Sequence, residues 1–432
     1  MTLRAKIFWM LDSIVGNRCL KKHYLDVKDI IEHYDSEDVQ NRLMKYLEDD
    51  LKYAVENVEF YKQYKGFKTL KDFPVINKTL VRDNEAVFMN PEYDKSELVK
   101  QETSGSTGMP FAVYQDFLKR KRATADTLYF SEIAKYELGQ RLYFSRVWNK
   151  GTKRSVLTCL KQNWVIHDSS NLSEVKIEKF LTDLEKDRSK KSVIIFASTL
   201  AAITKYIETK RRSTVAKVES FITLSESLDY TTKKLAKNQF GTTVISRYSN
   251  QELGIMAQQE CDSDEFVLNV GSYVFEFLDL EEDKPVEPGN PGRIVVTDLF
   301  NRAMPMIRYD TGDIGIRKPT KKNELPRLLT VEGRLVDFIY SSQGELISPY
   351  IINNSMCEFQ DISQYQFIQN GNINYRMLLN LRSGLTAFER EDDMLTMLKS
   401  FLGNDAIIEI EYVNEIPVLR SGKRKQVVNN YK

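Results

Sequence analysis

Residues 101–111 read QETSGSTGMPF, and the six from Thr103 to Gly108 are all small, four of them with hydroxyl groups. Glycine opens backbone angles that other residues avoid and lets another group approach the main chain closely. Ser and Thr place hydroxyl donors beside exposed backbone amides, a composition suited to cradling phosphate oxygens. The lysine that ends a Walker-type loop is absent from this sequence. Because flexible polar linkers share this composition, the run alone leaves a phosphate cradle and a linker open.

The composition narrows the classes of function. A chain of 432 residues can form two or three domains with a sizeable core. Its 62 basic and 61 acidic residues give a formal charge of +1, so no general attraction to nucleic acid is expected. Four cysteines without a Cys-x-x-Cys pair indicate a reducing cytoplasm, and three histidines make His-based acid/base chemistry unattractive.

The first 22 residues predict an amphipathic helix. No apolar run in the chain approaches the ~18 residues needed to span a bilayer. Asp12 interrupts the N-terminal apolar run and no small-residue cleavage site follows, which disfavours a signal peptide. Two interpretations stay open, weak peripheral contact with a membrane surface and docking on the protein's own body. The apolar face consists of Leu3, Ile7, Leu11, Ile14 and Val15, with Arg4, Lys6, Arg18, Lys21 and Lys22 elsewhere.

The middle of the chain alternates strand-like and helical patterns, after a helical stretch over residues 26–66. Strands that alternate with helices pair in parallel, so an α/β architecture is expected. The predicted strands are residues 192–197, 218–224 and 244–248, and the helical segments that follow them are residues 200–209, 231–240 and 251–259.

Beyond Cys261 the pattern changes to hairpin strands over residues 266–279 and 292–298, separated by the turn-rich residues 283–291. The segment EGRLVDF near residue 332 is a candidate boundary. Strands near 375–381 and 407–412 around a helix near 388–402 predict a small α+β domain. We therefore expect an N-terminal helical segment (1–70), a core domain (71–332) and a C-terminal domain (333–432).

Five polar or glycine-containing segments each follow an apolar run, where ligands bind in an open α/β sheet. The Tyr248 ring can stack on a base, Glu252 can hold magnesium, and Asp313 can accept hydrogen bonds from a ribose diol. Together with the glycine-rich run, these groups suit a nucleoside triphosphate. The five segments are TSGSTG (103–108), YSNQE (248–252), RYDTGD (308–313), GR (333–334) and SGKRK (421–425).

The ordered motifs TSGSTGMP, YSNQE, RYDTGDIG, EGRLVDF and SGKRK resemble those of the adenylate-forming superfamily of acyl-CoA synthetases and peptide-synthetase adenylation domains. Within it, the chain most resembles the phenylacetate-CoA ligase branch, and especially the CapK-like proteins associated with capsule and surface polysaccharide synthesis. FPVINKTLVRDN is similar to the segment upstream of that branch's loop, and LSESLD occupies the place of a glycine-glutamate segment beside the nucleotide. The resemblance covers roughly residues 70–432.

The resemblance implies a large N-terminal adenylation domain with layered α/β subdomains and a small mobile C-terminal α+β domain. It implies an ATP- and Mg²⁺-dependent ligase that joins a carboxylic acid to AMP and passes the acyl group to CoA, an amine or a hydroxyl of an amino acid or sugar. Two alternatives remain open: an adenylyltransferase that stops at the AMP adduct, and a non-catalytic nucleotide-binding protein of the same pathway.

The resemblance also assigns roles to single residues. Lys423 would be the catalytic cation, with Lys425 as the alternative, and Glu252 would bind magnesium. The nucleotide-binding residues would be Thr103, Ser104, Gly105, Ser106, Thr107, Gly108, Ser225, Glu226, Tyr248, Ser249, Asp313 and Arg334.

Three residues depart from the superfamily pattern. Phe111 stands where many superfamily members carry a basic residue after the loop proline, a residue that the phenylacetate-ligase branch also lacks. Gln251 replaces the usual threonine, which puts one phosphate contact in question. In the family, the small C-terminal domain swings about a hinge between adenylation and transfer of the acyl group. Val336 stands at this hinge position, where Asp or Lys is usual, so the transfer step is less secure than adenylation.

Two further expectations concern zinc and the acid. Some relatives bind zinc near the position of Cys261, but no histidine follows it here, so we predict no zinc. The acid pocket is expected between about Trp148 and Ser225, a stretch that includes Trp164, His167 and Phe196. For His167 a structural role is favoured over substrate contact.

Overall fold

The computed structural model describes residues 2–103, 111–146, 148, 154–169, 173–228, 230–334, 339–347, 349–356, 358–359, 361–382, 385, 388–416 and 426–431, with the backbone alone at 103, 332–334, 346, 349–350 and 353–354. The α-helices within these ranges are α1 (Leu3–Ile14), α2 (Cys19–Glu32), α3 (Glu37–Asn57), α4 (Lys78–Asp83), α5 (Glu85–Phe88), α6 (Phe117–Ile133), α7 (Val156–Gln162), α8 (Glu174–Lys186), α9 (Ala197–Thr209), α10 (Tyr230–Phe240), α11 (Pro349–Met356) and α12 (Glu391–Leu402).

Strands lie between these helices along most of the chain. Their bounds in chain order are β1 (Ile76–Asn77), β2 (Val99–Thr103), β3 (Phe111–Gln115), β4 (Arg141–Arg146), β5 (Trp164–Asp168), β6 (Lys191–Phe196), β7 (Ser220–Leu224), β8 (Thr243–Asn250), β9 (Gly254–Gln259), β10 (Phe266–Leu268), β11 (Tyr273–Leu278), β12 (Pro291–Asp298), β13 (Tyr309–Arg317), β14 (Arg327–Arg334), β15 (Ile339–Tyr340), β16 (Leu346–Ile347), β17 (Ile362–Gln369), β18 (Asn374–Leu381), β19 (Ile407–Tyr412) and β20 (Val427–Asn429).

One half of the main sheet is parallel. Strands β5, β4, β6, β7 and β8 pair in parallel in this order. Strand β6 is buried along its whole length, as its near-continuous apolar sequence requires in a sheet covered on both faces. Helices α8, α9 and α10 contribute to one apolar core with these strands. The predicted α/β alternation is confirmed here.

The other half of the sheet is antiparallel. From β8 the order continues β9, β10, β14, β13, β12 and β11, and β1 adds to β13 in parallel. The predicted helix over 251–259 is wrong, because residues 254–259 form β9. The interval 266–279 is two strands rather than one, since the chain turns at Asn269, whose side-chain amide donates to the Ile255 carbonyl at 2.9 Å. The hairpin predicted with residues 292–298 is confirmed for β11 and β12.

The N-terminal helices pack on the antiparallel half and α6, and α1 confirms the predicted N-terminal helix. Helix α3 begins at Glu37 because the Ser36 side chain accepts a hydrogen bond from the Val39 amide. Its face with Leu51 and Ala54 is buried in the largest core. Among the described residues, no helix is long and apolar enough to cross a membrane.

Buried charges also join these parts of the fold. The Arg122 guanidinium of α6 lies 2.6 Å from the Asp26 carboxylate of α2. One turn earlier, the Lys119 ammonium lies 2.6 Å from the Asp298 carboxylate of β12, with both side chains fully buried. Lys119 also donates to the Tyr273 hydroxyl of β11 at 3.0 Å. Two cations of one helix thus hold α2 and the β11–β12 hairpin together.

The C-terminal part has a hydrophobic core of its own. Strands β19, β18, β17 and β20 form a separate sheet in that order, and α11 and α12 share its core. The core residues lie between Ile339 and Val427. A hydrogen bond of 2.9 Å from the Lys205 ammonium of α9 to the Ile362 carbonyl links this part to the parallel half. The predicted strands and helix of a small α+β unit are present.

Candidate functional site

The carboxyl ends of β7 and β8 bring four predicted nucleotide residues to one edge. Leu224 pairs with Arg247 in parallel register, so Ser225 and Glu226 follow β7 beside Tyr248 and Ser249. Ser225 adopts a left-handed backbone conformation with φ of 70°. This abrupt change of direction ends the strand and exposes the following loop at the sheet edge.

Glu226 has a structural contact at this edge. Its Oε2 atom accepts a hydrogen bond of 2.8 Å from the amide of Ser198, in the first turn of α9. A carboxylate at a helix N-terminus is stabilised by the unpaired amides and the helix dipole there. Glu226 therefore fixes the loop after β7 to α9, and its carboxylate lies at the strand ends where the nucleotide is expected.

Tyr248 and Asp313 meet across the antiparallel half of the sheet. The Tyr248 hydroxyl donates to Asp313 Oδ2 at 2.8 Å and lies 3.3 Å from Thr311 Oγ1. Three strands, β9, β10 and β14, separate β8 from β13 in the sheet order. A flat sheet would put these strands about 19 Å apart, at about 4.8 Å per step. The antiparallel half must therefore curl, and its concave side brings the two side chains together.

The electrostatics of this pair follow from burial. Burial raises the pKa of the Tyr248 hydroxyl well above its usual value, and the neighbouring Asp313 carboxylate raises it further. The phenol thus stays protonated at neutral pH and is a hydrogen-bond donor to the carboxylate. The arrangement combines an aromatic ring and a carboxylate at one place.

The turn that carries Asp313 is held by local hydrogen bonds. The Asp313 amide donates to Thr311 Oγ1 at 3.1 Å, and the Thr311 hydroxyl donates to the Ile294 carbonyl at 2.9 Å. Gly312 has φ of 76°, which favours glycine at this position. Asp313 and Arg334 are cross-strand partners of β13 and β14, so the sheet brings these two predicted residues side by side.

Glu252 is buried in the turn between β8 and β9. Its side chain is 7% exposed, and its Oε1 atom lies 3.4 Å from the Lys78 ammonium. Two neighbouring groups fix the backbone of this turn: the Gln115 side-chain amide donates to the Glu252 carbonyl at 2.9 Å, and the Tyr273 hydroxyl donates to the Leu253 carbonyl. The buried Lys119–Tyr273 contact therefore supports the predicted metal carboxylate.

Lys78 is a further candidate for this site that none of the sequence motifs indicated. Its ammonium lies 5.1 Å from the centre of the Phe111 ring, and Phe111 stacks on Tyr309 at 6.4 Å. Strand β1 positions it, because Ile76 pairs with Tyr309 of β13. The signal was present in FPVINKTLVRDN, which resembled a family segment, but only the pairing of β1 with β13 brings this lysine to Glu252.

Arg308 anchors the same segment. Its guanidinium donates to both carboxylate oxygens of Glu276, at 2.9 and 3.0 Å, and to the Phe73 carbonyl at 2.7 Å. Arg308 is buried, with φ of 52°. The arginine of the RYDTGD segment thus holds the chain before β1 against β13.

The glycine-rich run connects the two strands of a hairpin. Strands β2 and β3 pair antiparallel, with Thr103 opposite Phe111 as the last described pair. Phe111 contacts Lys78 and Tyr309, so this end of the hairpin lies next to Glu252 and the start of β13. Several predicted residues lie outside the described residues: Ser104, Gly105, Ser106, Thr107, Gly108, Val336, Lys423 and Lys425.

The stretch expected to line the acid pocket contains an aromatic group at the edge of the parallel half. The Phe144 ring contacts Trp148 and Trp164 at 5.3 and 5.6 Å between ring centres. His167 Nδ1 lies 2.8 Å from Ser145 Oγ, and its ring is 4.3 Å from that of Phe180 in the core. Burial lowers the pKa of His167 to about 4. These contacts are those of a neutral structural histidine.

The sequence predicts magnesium at Glu252 and no zinc near Cys261, and the structure shows which metal-ligating side chains lie close together. Across the described ranges, no group of three or more His, Cys, Asp or Glu side chains is arranged to hold a metal ion. Cys261 donates from its sulfur to the Ile133 carbonyl at 3.2 Å, and burial raises its pKa. Magnesium in nucleotide sites needs only one or two protein carboxylates, because phosphate oxygens and water complete the octahedron. Glu252 fits that requirement.

Comparison with known proteins identifies a matching family model and a relative similar over the whole chain. The family model described as the CapK C-terminal domain matches residues 339–430. Protein CapK of Staphylococcus aureus is 23% identical over 460 residues, covering 100% of this chain and 96% of that protein. The chain resembles CapK from end to end. The resemblance to CapK-like proteins inferred from the motifs is thereby confirmed.

Solved structures agree on the fold. A 2-hydroxyisobutyryl-CoA ligase in the postadenylation state, in complex with 2-HIB-AMP, superimposes with a TM-score of 0.73 at 15% identity, over 91% of this chain and 90% of that one. The anthranilate-CoA ligase AuaEII with anthranoyl-AMP gives 0.56 at 12% identity, over 78% and 66% of the two chains. This CapK-like chain therefore has the fold of the adenylate-forming CoA ligases, a large N-terminal part followed by a small C-terminal one.

Proposed function

We propose that this protein is an ATP-dependent, AMP-forming ligase that activates a carboxylic acid as an acyl-adenylate. The observation that carries the proposal is that, within an adenylate-forming fold, Tyr248 meets Asp313, while Glu252 lies beside Lys78, which contacts Phe111 at the end of the β2–β3 hairpin. An aromatic ring, a diol-binding carboxylate and a metal-binding carboxylate around a Ser/Thr/Gly loop match the parts of ATP. The full-length similarity to CapK supports a place in capsule or surface polysaccharide biosynthesis.

In this proposal the β7–β8–β13 edge binds adenosine. Tyr248 lies against adenine and Asp313 accepts hydrogen bonds from the ribose hydroxyls. A carboxylate can accept about four hydrogen bonds, so the bond from Tyr248 leaves acceptor capacity for the diol. Arg334, the cross-strand partner of Asp313, assists there, and Ser225, Glu226 and Ser249 line the strand ends beside the base.

The phosphates would lie at the hairpin end. Thr103, Ser104, Gly105, Ser106, Thr107 and Gly108 would wrap them, and Glu252 would hold the magnesium ion that neutralises their charge. Lys78, with its ammonium 3.4 Å from Glu252, supplies a second positive charge at this end. A positive charge beside the leaving pyrophosphate stabilises the charge that develops there.

The chemistry runs in two steps. A carboxylate oxygen of the acid attacks the α-phosphorus of ATP, and the bond to the bridging oxygen breaks so that pyrophosphate leaves with the electron pair. Lys423 stabilises the negative charge of this step. In the second step CoA, an amine or a hydroxyl attacks the acyl carbonyl, AMP leaves with the electron pair, and the nucleophile loses its proton. Movement of the C-terminal part about Val336 would separate the two steps.

Product analysis tests this assignment. The full-length protein is incubated with ATP, Mg²⁺, a panel of carboxylic acids that includes amino acids and uronic acids, and CoA or amine acceptors. Mass spectrometry is expected to show AMP, pyrophosphate and an acyl-thioester, amide or ester. A stable adenylylated product that ignores every acceptor would instead support the adenylyltransferase alternative, and ATP binding without turnover would support a non-catalytic role.

A further inference from the structure

One face of helix α1 carries large apolar side chains that point into solvent. Leu3, Ile14 and Val15 are 73%, 72% and 83% exposed, although apolar residues of this size are usually buried. Viewed down the helix axis at about 100° per residue, five exposed apolar positions of α1 fall within an arc of about 100°, with Met10 at one end of the arc and Leu11 at the other. These positions are Leu3, Ile7, Met10, Leu11 and Ile14, with Val15 beside them.

The opposite face of α1 holds the helix on the protein. Ala5 and Asp12 are buried there, and the two Asp12 oxygens accept hydrogen bonds from the amides of Leu20 and Lys21 at 3.3 and 3.0 Å. The Thr2 hydroxyl donates to the Leu138 carbonyl at 2.7 Å. Because one face is fixed by these polar contacts, the apolar face is directed outward by the fold. The face with Ala5 and Asp12 docks the helix on the protein, and the opposite face is the exposed apolar surface that membrane contact would use.

A second exposed apolar helix lies next to α1. Helix α7 has no buried residue, and its Val156, Leu157 and Leu160 are 77%, 61% and 63% exposed. Arg4 of α1 joins the two helices, since its guanidinium donates to the Leu160 and Lys161 carbonyls at 2.6 and 3.2 Å. We call the nine side chains together the α1–α7 face: Leu3, Ile7, Met10, Leu11, Ile14, Val15, Val156, Leu157 and Leu160.

The exposed charges of α1, of α7 and of the start of α2 are all positive. Helix α7 contains no acidic residue, and Asp12, the acidic residue of α1, is buried against the start of α2. A second copy of the chain would bring like charges together across a twofold axis, which disfavours self-association. A surface with negative headgroups above an apolar layer complements both features. The exposed cations are Arg4, Lys6, Arg18, Lys21, Lys22 and Lys161.

We propose that the α1–α7 face binds reversibly to the surface of a bilayer that contains anionic lipids. The apolar side chains enter the boundary between headgroups and acyl chains, and the lysine and arginine side chains remain at the level of the phosphates. This inference does not depend on the proposed ligase activity. It would hold the chain at a membrane surface, and binding weakens as salt screens the headgroups.

Vesicle sedimentation tests the proposal with the full-length protein. Vesicles of phosphatidylcholine with phosphatidylglycerol are expected to bind the protein at low salt, and vesicles of phosphatidylcholine alone to bind it more weakly. The triple variant Leu3→Ser/Ile7→Ser/Ile14→Ser should lose at least about tenfold in affinity, because three inserting side chains are removed. The variant Val215→Ser/Ile407→Ser removes similarly exposed apolar groups elsewhere and should bind like wild type.

A charge variant separates the two contributions. Lys6→Glu/Lys161→Glu should reduce binding to the anionic vesicles and flatten its salt dependence, with binding to neutral vesicles unchanged. Unaltered thermal unfolding in all three variants confirms that the fold is retained. The proposal is overturned if the triple variant binds anionic vesicles like wild type, or if wild type fails to bind them. It is also overturned if sedimentation velocity shows instead a dimer that the triple variant abolishes.

Discussion

Where β8 faces β13, polar side chains are turned into the protein, whereas on α1 and α7 apolar side chains are turned out of it. The inward region satisfies its groups: Tyr248 donates to Asp313, and Lys78 lies beside Glu252. The outward region leaves its apolar side chains in water. Buried polar groups and exposed apolar patches are the two informative departures from ordinary burial, because each needs a partner to be stable. In the part of the chain that the structure describes, the first region contains some of its own partners, and the second leaves its apolar side chains exposed.

The sharpest test of the inward region is its supporting ion pair. Lys119→Met leaves the Asp298 carboxylate buried without its cation, so the free energy of unfolding should fall by about 3–5 kcal/mol. Urea denaturation measures this change. The control Lys52→Met removes an exposed pair with Glu48 on α3 and should cost about 0.5 kcal/mol or less. Equal losses in the two variants would show that the buried network does not support the fold as described.

Asp313→Ala tests the proposed ribose contact. Loss of a charged hydrogen-bond acceptor should weaken ATP binding about 10- to 100-fold, at about 1.5–3 kcal/mol, as measured by calorimetry. Tyr248→Phe keeps the ring and removes only the hydroxyl, so its loss should be several-fold smaller. Unchanged ATP affinity in Asp313→Ala would refute the assignment of Asp313.

The buried His167, in the parallel half of the sheet, makes the stability of the fold depend on pH. Its pKa in the folded protein is about 4, below 6.5 in the unfolded chain, because burial disfavours the imidazolium. The unfolded state therefore gains a proton first, and stability should be full above pH 6.5 and fall between pH 6.5 and 4. His167→Gln should reduce this slope in denaturation measurements. An NMR titration of His167 with a midpoint between pH 6 and 7 would contradict the account.

The smallest effect is expected on the outward region. Ile14→Ser replaces a side chain that is 72% exposed, so unfolding should change by no more than about 0.5 kcal/mol. Thermal unfolding measures this difference without vesicles. A much larger loss would mean that this side of α1 packs against the protein, and the contrast between the two regions would then fail.

Much of the parallel half could be predicted from sequence, because its strands are short apolar runs between amphipathic helices. The helix predicted over residues 251–259 was wrong because Gln258 and Gln259 are polar but buried, so the sequence lacks the apolar pattern of a strand. Their side chains have partners that only the fold supplies: Gln258 donates to the Phe130 carbonyl at 2.6 Å, and Gln259 donates to the Asp264 carbonyl at 2.8 Å. A central strand with satisfied glutamines does not show the apolar pattern of a strand.

In the candidate site too, some residues could be predicted from local sequence and others depend on the fold. Tyr248, Glu252 and Asp313 were chosen from local motifs. The structure brings Tyr248 to Asp313, and it brings Glu252 to Lys78 beside the hairpin end. Lys78 could not be predicted as a site residue because its position beside Glu252 depends on the pairing of β1 with β13, which are more than two hundred residues apart in sequence. The curl that brings Tyr248 to Asp313 likewise comes from the strand order, which no local pattern records.

Acid-dependent exchange of pyrophosphate into ATP tests the central claim most directly, because it detects the adenylation step without knowledge of the acceptor. With a suitable carboxylic acid, wild type is expected to catalyse exchange, and Lys423→Ala to reduce it about a thousandfold with ATP binding retained. Lys425→Ala is the matched control and should retain exchange. Acid-independent exchange, or full exchange in Lys423→Ala, would contradict the account.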